Sequence, residues 1–256
     1  MGIDVGGSGI KSALVDLTDG SLVSERLRVD TPQPATPQAC ATALGAQLSE
    51  YTYDGPIGIG FPSVIRNGTV ETANNIDPAW VGYKAADFFA EATGRDTVVL
   101  NDADAAALAE AAYGAAAGVD GMVLTITFGT GIGSGLLVDG KLVPNLELGQ
   151  IELEGHAPAE TYFAAKARRR EDLEWDEWGS RANRYLRHVD YVFNPDLIVI
   201  GGGLIKNWEM FAHLLDEKLP VVPAEMGNNA GLVGAALAAS GTSGTGGGAV
   251  RRSQSR

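Results

Sequence analysis

The residues best suited to chemistry lie at the start of the chain. Residues 4–11 read DVGGSGIK and stand between two apolar runs, each long enough for a strand. Glycines permit a tight turn whose backbone N–H groups stay uncovered and can hold phosphate oxygens. Asp4 would face the same space and hold a hydrated magnesium ion, and Lys11 would supply a compensating positive charge. The alternative is an ordinary hairpin whose glycines serve only the turn.

A second stretch repeats this plan near the middle of the chain. Residues 121–128 and 136–138 are mostly apolar, and the intervening residues 129–135 are rich in glycine. Each glycine turn precedes further strands and helices, so the repeat predicts two similar α/β lobes that face each other across a cleft. We expect an N-terminal lobe over residues 1–104, a C-terminal lobe over residues 105–239 whose last helix packs back on the first lobe, and a disordered tail over residues 240–256.

The elements that must position these turns follow from hydrophobic periodicity and turn signals. The segment NDAD at residues 101–104 follows an apolar strand and runs into an alanine-rich helix, a place where ligands bind in open α/β sheets. Beside the two hairpins, we predict strands over residues 21–29, 57–62, 69–72, 97–100 and 197–200, and helices over residues 39–49, 85–93, 105–113, 157–170, 174–188, 210–218 and 230–239.

Composition limits the classes of partner. The formal net charge of −13 opposes non-specific binding to nucleic acid or to anionic membranes, so a polyanion would need a local basic patch. The single Cys40 excludes an internal disulfide and a Cys-rich zinc site, and we expect a buried, inert thiol. We find no charged leader and no apolar run of the roughly 18 residues that a membrane span needs, which predicts a cytoplasmic protein.

Five motifs together resemble the ROK family of sugar kinases, within the actin-like ATPase superfamily. They occupy residues 4–11, 101–105, 127–133, 147–149 and 201–203, in the order found in the family. The resemblance spans residues 2–239. It implies an actin-like (ribonuclease H-like) α/β fold with two lobes around a cleft, transfer of a phosphoryl group to a sugar, Mg²⁺ as cofactor and a homodimer.

The resemblance also implies where the phosphoryl donor binds. The two glycine hairpins would hold its phosphates, and the glycines at residues 201–203 would lie near its distal part. The positions implied are Asp4, Gly6, Gly7, Ser8, Gly9, Lys11, Thr127, Gly129, Thr130, Gly131, Gly201, Gly202 and Gly203.

For the sugar, the resemblance implies that Asp102 is the general base that takes the proton of the 6-hydroxyl. The chemistry agrees, because phosphoryl transfer depends mostly on positioning and charge compensation, and the attacking hydroxyl needs one nearby carboxylate. The alternative role for Asp102 is to cap the following helix, and the two roles are compatible. The sugar contacts implied are Asn75, Asn101, Asp102, Glu147, Gln150 and Glu160.

One position departs from the family pattern. Gln150 stands where many members have a histidine that touches the sugar and ligates a structural zinc ion. The cysteines that complete that zinc site are also missing, so we expect no zinc here. The amide of Gln150 can still bind a sugar hydroxyl, because it both donates and accepts. His156 could replace the missing histidine, or it is a solvated loop residue.

The zinc-free form resembles the polyphosphate-dependent glucokinases within the family, as do residues 8–11, 75–77 with Trp80, 166–175 and 221–224. A physical argument points the same way, because an acidic chain that binds a long polyanion must concentrate its cations. The alternative is a solvated face paired with Glu171, Asp172 and Glu174. The predicted polyphosphate track is Lys166, Arg168, Arg169 and Arg170, followed at helical spacing by Arg181, Arg184 and Arg187.

These observations favour a hexose kinase that phosphorylates the 6-hydroxyl of glucose from inorganic polyphosphate, with ATP as a further donor. The nearest rivals are an ATP-dependent glucokinase and a mannokinase or glucomannokinase. A non-catalytic sugar sensor is a different class, but relatives that regulate transcription carry an N-terminal helix-turn-helix for which this sequence leaves no room, and its charge disfavours DNA. A filament-forming actin relative would leave the sugar motif without a role.

Overall fold

The computed structural model describes residues 1–241, and the tail predicted for residues 240–256 lies outside the described residues from residue 242 onward. Short runs of strands are followed by helices along the chain. The strands are β1 (Gly2–Val5), β2 (Ile10–Ala13), β3 (Leu27–Val29), β4 (Ile57–Phe61), β5 (Ile65–Arg66), β6 (Thr69–Val70), β7 (Thr97–Asn101), β8 (Met122–Phe128), β9 (Ile132–Val138), β10 (Lys141–Val143), β11 (Leu197–Gly201) and β12 (Val221–Pro223).

The α-helices begin and end close to the predicted positions in most cases. Short 3₁₀ turns connect several elements, and no helix of residues 1–241 has the length and apolar character needed to cross a bilayer. The helices are α1 (Pro37–Leu48), α2 (Ala85–Thr93), α3 (Asp102–Tyr113), α4 (Glu160–Phe163), α5 (Ala165–Arg170), α6 (Trp175–Phe193) and α7 (Ala230–Ala239).

Two five-stranded sheets share one plan. Their strand orders are β3-β2-β1-β4-β7 and β10-β9-β8-β11-β12. In each sheet an antiparallel meander of three strands continues into two parallel strands. The carboxyl ends of the parallel strands in both sheets therefore become available to line one cleft. We call the part of the chain built on the first sheet the first half and the part built on the second sheet the second half.

Helices α3 and α7 connect the two halves. Helix α3 contacts β4 of the first sheet and β8 and β9 of the second, and α7 packs against α3, β1 and β4. This packing requires glycine, because a Cβ atom added at Gly58 would lie 1.7 Å from the Ala235 carbonyl oxygen, and one at Gly234 would lie 1.6 Å from that of Ala105. Because Gly58 and Gly234 have no side chains, the backbone of α7 can contact the backbones of β4 and α3 directly.

Each half has its own apolar core. In the first half, Phe61, Trp80 and Phe89 pack together and Cys40 is buried beside them, as predicted for an inert thiol. Burial raises the pKa of the Cys40 thiol to about 11, so it stays protonated at neutral pH. The second core is also aromatic and includes Phe128, Phe163, Trp178, Tyr185 and Phe211.

Two helix predictions in the second half are wrong. Residues 210–218 form no α-helix; instead two 3₁₀ turns, Ile205–Met210 and Ala212–Leu214, are separated by Phe211, which is fully buried and has a non-helical φ of −136°. The predicted helix over residues 157–170 is broken at Ala164, whose backbone is extended. There the Phe163 carbonyl accepts a hydrogen bond from the Trp178 indole rather than from a later helical N–H. Tertiary packing overrides local helix propensity in both cases.

In the first half the predicted strand over residues 21–29 is shorter than expected. Only Leu27–Val29 pairs as a strand, although Leu22 makes an isolated bridge with Val15. The Leu14 N–H donates to the Ser24 hydroxyl at 2.9 Å, so a side chain takes the place of a backbone partner. Such local side-chain hydrogen bonds compete with sheet pairing.

Candidate active site

A cavity of about 490 Å³ lies between the two halves, where the carboxyl ends of β4, β7 and β8 meet the glycine hairpins. It brings together residues predicted for two purposes. All six predicted sugar contacts line it, and so do seven of the predicted donor residues. These are Asn75, Asn101, Asp102, Glu147, Gln150 and Glu160 for the sugar, and Gly6, Gly7, Ser8, Thr127, Gly129, Thr130 and Gly131 for the donor.

Asp102 begins helix α3, but it is not the residue that caps it. The cap is Asn101, whose Oδ1 accepts from the N–H groups of Ala103 at 2.8 Å and Asp104 at 3.1 Å. The Asn101 amide nitrogen also donates to the Ser63 carbonyl oxygen at 3.2 Å. The alternative in which Asp102 caps the helix is therefore wrong. Its carboxylate lines the cavity on a helical turn that Asn101 holds in place.

The electrostatic surroundings of Asp102 suit a base. Burial and the nearby Asp4 carboxylate raise the pKa of Asp102 to about 7, against the smaller opposing effect of its hydrogen bond with Ala103. A general base works best when its pKa lies near the operating pH. Burial and the neighbouring Glu160 also raise the pKa of Glu147, which lines the same cavity.

Asp4 and Lys11 form an ion pair at the base of the first hairpin. The two residues are cross-strand partners of β1 and β2, and the Lys11 ammonium donates to Asp4 Oδ2 at 2.8 Å. In residues 1–241 no group of three or more His, Cys, Asp or Glu is placed to hold a metal ion. Asp4 still fits Mg²⁺, because this ion usually keeps several waters and binds one or two carboxylates together with substrate phosphates.

The first hairpin is held by side chains that the motif did not reveal. The Gly6 N–H donates to the Gly9 carbonyl oxygen at 3.0 Å, which closes the turn. The Thr31 hydroxyl donates to the Gly6 carbonyl oxygen at 2.5 Å, and the Arg28 guanidinium donates to that of Ser8 at 2.9 Å. Two backbone acceptors are thereby engaged from outside the turn. Arg28 and Thr31 lie on and after an edge strand, far from any recognised motif.

Glu160 connects the second hairpin to the sugar motif. Its Oε2 accepts from the Ile132 N–H at 3.0 Å, and its Oε1 accepts from the Gln150 amide at 2.9 Å. Gln150 therefore occupies the cavity wall with its orientation fixed. His156 stacks on Tyr162 with ring centroids 3.8 Å apart and is not part of the wall, so it does not replace the missing histidine.

A second cavity, of about 400 Å³, adjoins the first. Gly129 and Thr130 of the second hairpin line both. Its wall contains the predicted residues Gly203, Arg168 and Arg169, together with Trp175 of the quoted stretch 166–175 and the unpredicted residues Leu204, Lys206 and Asn207.

Arg168, Arg169 and Lys206 make the second cavity cationic. No Asp or Glu is among the residues that line it. The Arg168 guanidinium lies 3.8 Å from the centre of the Trp175 ring, which holds it against the wall. Lys206 was missed because it follows the apolar strand β11 by five residues, without other cations near it in sequence.

The other cations of the predicted track lie elsewhere. Arg170 contacts Glu171 and donates to the Thr161 carbonyl oxygen, and Lys166 is exposed; neither lines a cavity. The arginines of α6 are also paired. Arg181 bonds Glu171 at 2.7 Å, Arg184 bonds Glu154 at 3.0 Å and Arg187 lies 3.7 Å from Asp216. Of the partners expected for a solvated, ion-paired face, only Glu171 is used in these pairs, and Arg181, which it binds, is buried.

Several further residues complete the site. Of the predicted donor residues, Asp4, Gly9, Lys11, Gly201 and Gly202 line neither cavity. Thr72 and Asn74 could have been predicted as polar neighbours of Asn75. Ser63 could not, because it reaches the cavity only through the pairing of β4 with β7. The first cavity is also lined by Ile132 and Gly133, which belong to the motif over residues 127–133, and by four residues outside the motifs, namely Pro62, Ser63, Thr72 and Asn74.

Comparison with known proteins agrees with this geometry. The chain is 43% identical over 238 residues to a polyphosphate glucokinase of Mycobacterium tuberculosis, covering 93% of this chain and 89% of the relative. A polyphosphate glucokinase of Mycobacterium leprae is 40% identical, with 93% of this chain and 73% of the relative covered.

Solved structures show the same fold. The inorganic polyphosphate/ATP-glucomannokinase of Arthrobacter sp. strain KM superposes with a TM-score of 0.90 at 47% identity, over 93% of this chain and 97% of that one. A ROK family glucokinase from Streptomyces griseus, solved with glucose and AMPPNP, has a TM-score of 0.81 at 25% identity, over 94% of this chain and 98% of that one. These comparisons confirm the predicted actin-like α/β fold with two lobes. The model of the ROK family matches residues 1–160, and the chain belongs to the ROK family.

Proposed function

We propose that this chain is a polyphosphate glucokinase, which transfers a phosphoryl group from inorganic polyphosphate to the 6-hydroxyl of glucose. The observation that carries the proposal is that two adjoining cavities share Gly129 and Thr130 in their walls. The first contains a carboxylate suited to a base among sugar-binding polar groups, and the second is lined by cations. A long polyanion needs such a path when the rest of the chain is acidic. The identity to named polyphosphate glucokinases supports the same function.

Asp102 performs the proton transfer in this proposal. Its carboxylate accepts the proton of the 6-hydroxyl as that oxygen bonds to the terminal phosphorus, and the phosphoanhydride bond to the shortened chain breaks with its electron pair on the leaving phosphate. Asn75, Asn101, Glu147, Gln150 and Glu160 would hold the other hydroxyls, since together they offer both donors and acceptors.

The glycine hairpins hold the donor in place. The N–H groups of Gly6 and Gly129 already bond within their turns, so the backbone N–H groups of residues 7–8 and 130–131 would bind the terminal phosphates. Asp4 would hold Mg²⁺ against these phosphates. When bound, this ion offsets the negative charge on the transferring group. Arg168, Arg169 and Lys206 would bind phosphates further along the chain, in the second cavity.

A wider substrate range has separate support. The Arthrobacter relative is a polyphosphate/ATP-glucomannokinase, and the Streptomyces griseus structure contains AMPPNP. We propose ATP as a second donor and mannose as a second acceptor. From the family resemblance we also propose that the protein is a cytoplasmic homodimer.

A coupled assay of glucose 6-phosphate tests the function. Glucose and Mg²⁺ are supplied with either long-chain polyphosphate freed of nucleotide or ATP, and mannose replaces glucose in a parallel series. We expect turnover with polyphosphate. Turnover with ATP alone would limit the function to that of an ATP-dependent glucokinase. It would also mean that the cations of the second cavity do not bind polyphosphate. Tight glucose binding without turnover from either donor would instead favour a sugar sensor.

A further inference from the structure

Asn145 connects the two halves of the molecule beside the active site. It lies in the loop after β10, yet both polar groups of its amide bond the backbone of Ile65 in β5, 80 residues earlier. The Ile65 N–H donates to Asn145 Oδ1 at 2.8 Å, and Asn145 Nδ2 donates to the Ile65 carbonyl oxygen at 2.8 Å. The side chain thus pairs with Ile65 as a neighbouring strand would. Ile65 itself belongs to the apolar core of the first half.

Asp104 fixes the backbone of Asn145. Its Oδ2 accepts from the Asn145 N–H at 2.8 Å, and Asn145 has a φ of +66°, a conformation that asparagine tolerates better than most residues. Asp104 is only 1% exposed, and its Oδ1 has no hydrogen-bond partner among the residues that the structure describes. It lies two residues after Asp102, on the helical turn that Asn101 caps. Asp102, the proposed base, and Asp104, which holds Asn145, therefore lie on the same first turn of α3.

Glu147 follows Asn145 by two residues and lines the first cavity. The residues on both sides of Glu147 are held by Ser134 of β9. The Ser134 hydroxyl donates to the Leu146 carbonyl oxygen at 2.6 Å and accepts from the Leu148 N–H at 3.0 Å. The Glu147 loop is therefore attached to the second sheet through Ser134, and to α3 and the first half through Asp104 and Asn145.

We propose that Asp104 and Asn145 are positioning residues, which link the two halves and place the Glu147 carboxylate relative to Asp102 so that the sugar is held with its 6-hydroxyl at the base. This inference rests on the proposed function, in which glucose is the sugar, Asp102 is the base and Glu147 contacts the sugar. Neither residue lines either of the two cavities, and their hydrogen bonds go to Asn101, to Ile65 and to each other rather than to a predicted donor position, so we expect the link to act on the sugar side. Loss of the link should weaken glucose binding and lower turnover, while the KM for polyphosphate is unchanged.

Asn145→Gly tests the link with little backbone strain, because glycine accepts a positive φ and keeps the N–H that bonds Asp104. It removes only the two bonds to Ile65. We expect the glucose dissociation constant, measured by titration calorimetry without donor, to rise about 10- to 100-fold, since a lost net hydrogen bond of about 1.4 kcal/mol is tenfold. We expect kcat to fall about tenfold and the polyphosphate KM to stay within twofold.

Asn194→Gly is the matched control. Asn194 also has a positive φ, of +47°, but it caps the end of α6, and it is not among the residues that line either cavity. We expect its glucose affinity and kcat to equal those of the unaltered protein. Asp104→Asn keeps an oxygen that accepts from Asn145, so its glucose affinity should stay within threefold, whereas Asp104→Ala should weaken glucose binding as Asn145→Gly does.

Two results would overturn the link. One is a folded Asn145→Gly protein whose glucose affinity and kcat lie within twofold of the unaltered protein. The other is a lower melting temperature with unchanged glucose affinity in both Asn145→Gly and Asp104→Ala, which would leave only a packing role. Because calorimetry needs no donor, failure of the link is distinguishable from failure of the polyphosphate reaction.

Discussion

Helices α3 and α7 occupy equivalent places in the two halves, yet only α3 carries the residue that we propose as the base. Each follows the last parallel strand of its sheet, β7 in the first and β12 in the second. Helix α3 is capped by Asn101 and has Asp102 and Asp104 in its first turn, whereas α7 has no side-chain cap and no acidic residue there. The repeated architecture creates the cleft, and the residues at the strand ends differ between the halves, so that only the first half offers a carboxylate in the place of the proposed base.

The two glycine hairpins differ in the same way. The first places Asp4 opposite Lys11, and the corresponding pair of the second is Thr127 and Gly133. The first hairpin is therefore charged and the second is not. The second instead leads into a cavity whose cations come from α5 and from the turn after β11. We infer that the first half handles the proton and the metal-bound phosphate, and that the second half binds the rest of the donor.

Asp102→Asn should produce the largest effect, because it removes the base from α3 and leaves the helix intact. We expect kcat to fall about 10²- to 10⁴-fold, the usual contribution of a positioned base, with glucose affinity within threefold. Steady-state kinetics and calorimetry measure the two quantities. Asp87→Asn makes the same change in the first turn of α2, at an exposed position, and should leave both unchanged. Near-full turnover in a folded Asp102→Asn protein would show that the base is another group.

Substitutions of the cations that line the second cavity should have the next largest effects. We expect Arg168→Ala and Lys206→Ala each to lower kcat/KM for polyphosphate about tenfold, because a hydrogen bond to a charged group contributes about 1.5–3 kcal/mol when it is desolvated and less when solvent reaches it. Glucose affinity should not change. Arg170→Ala is the control, since Arg170 bonds Glu171 and lies outside both cavities. Equal losses in all three variants would mean that only overall charge matters.

Asp104→Asn, which keeps the hydrogen bond to Asn145, should give the smallest effect, and this effect concerns stability rather than rate. Burial is the main cause that raises the pKa of Asp104 from 3.8 to about 7, so the folded protein keeps a proton that the unfolded chain has already lost. Stability therefore falls as pH rises from about 4 to about 7, by at most about 1.4 kcal/mol per pH unit from this group. Asp104→Asn removes the ionisable carboxyl, so the stability of this variant does not fall with pH for this reason.

Urea unfolding at pH 5, 6, 7 and 8 measures the difference. The free energy of unfolding of Asp104→Asn should exceed that of the unaltered protein by an amount that grows up to about pH 7 and then levels off. A difference that is constant with pH would show that Asp104 ionises normally. Helix α7, which carries no acidic residue, offers no such pH dependence at its equivalent turn.

The sequence predicted more of the site than of the connections around it. Glycine turns and the Asn101-Asp102 pair depend on local backbone needs, so their places could be predicted from residue type and order. Lys206 and Ser63 reach the cavities only through sheet pairing, which no local pattern encodes. The predicted helix over residues 210–218 failed because Phe211 is buried in an aromatic core formed with the distant Trp178. The Asn145 link has an equally non-local origin.

The close packing of α7 also determines the order in which the protein can fold. Leu232 and Val233 of α7 are fully buried, and the helix covers β1 and β4, which are among the first strands of the chain. During synthesis the first sheet emerges from the ribosome long before residues 230–239, at about 5–20 residues per second. Its inner face must therefore wait, uncovered, until nearly the whole chain has been made. Burial of the first sheet therefore depends on α7, the last helix of residues 1–241.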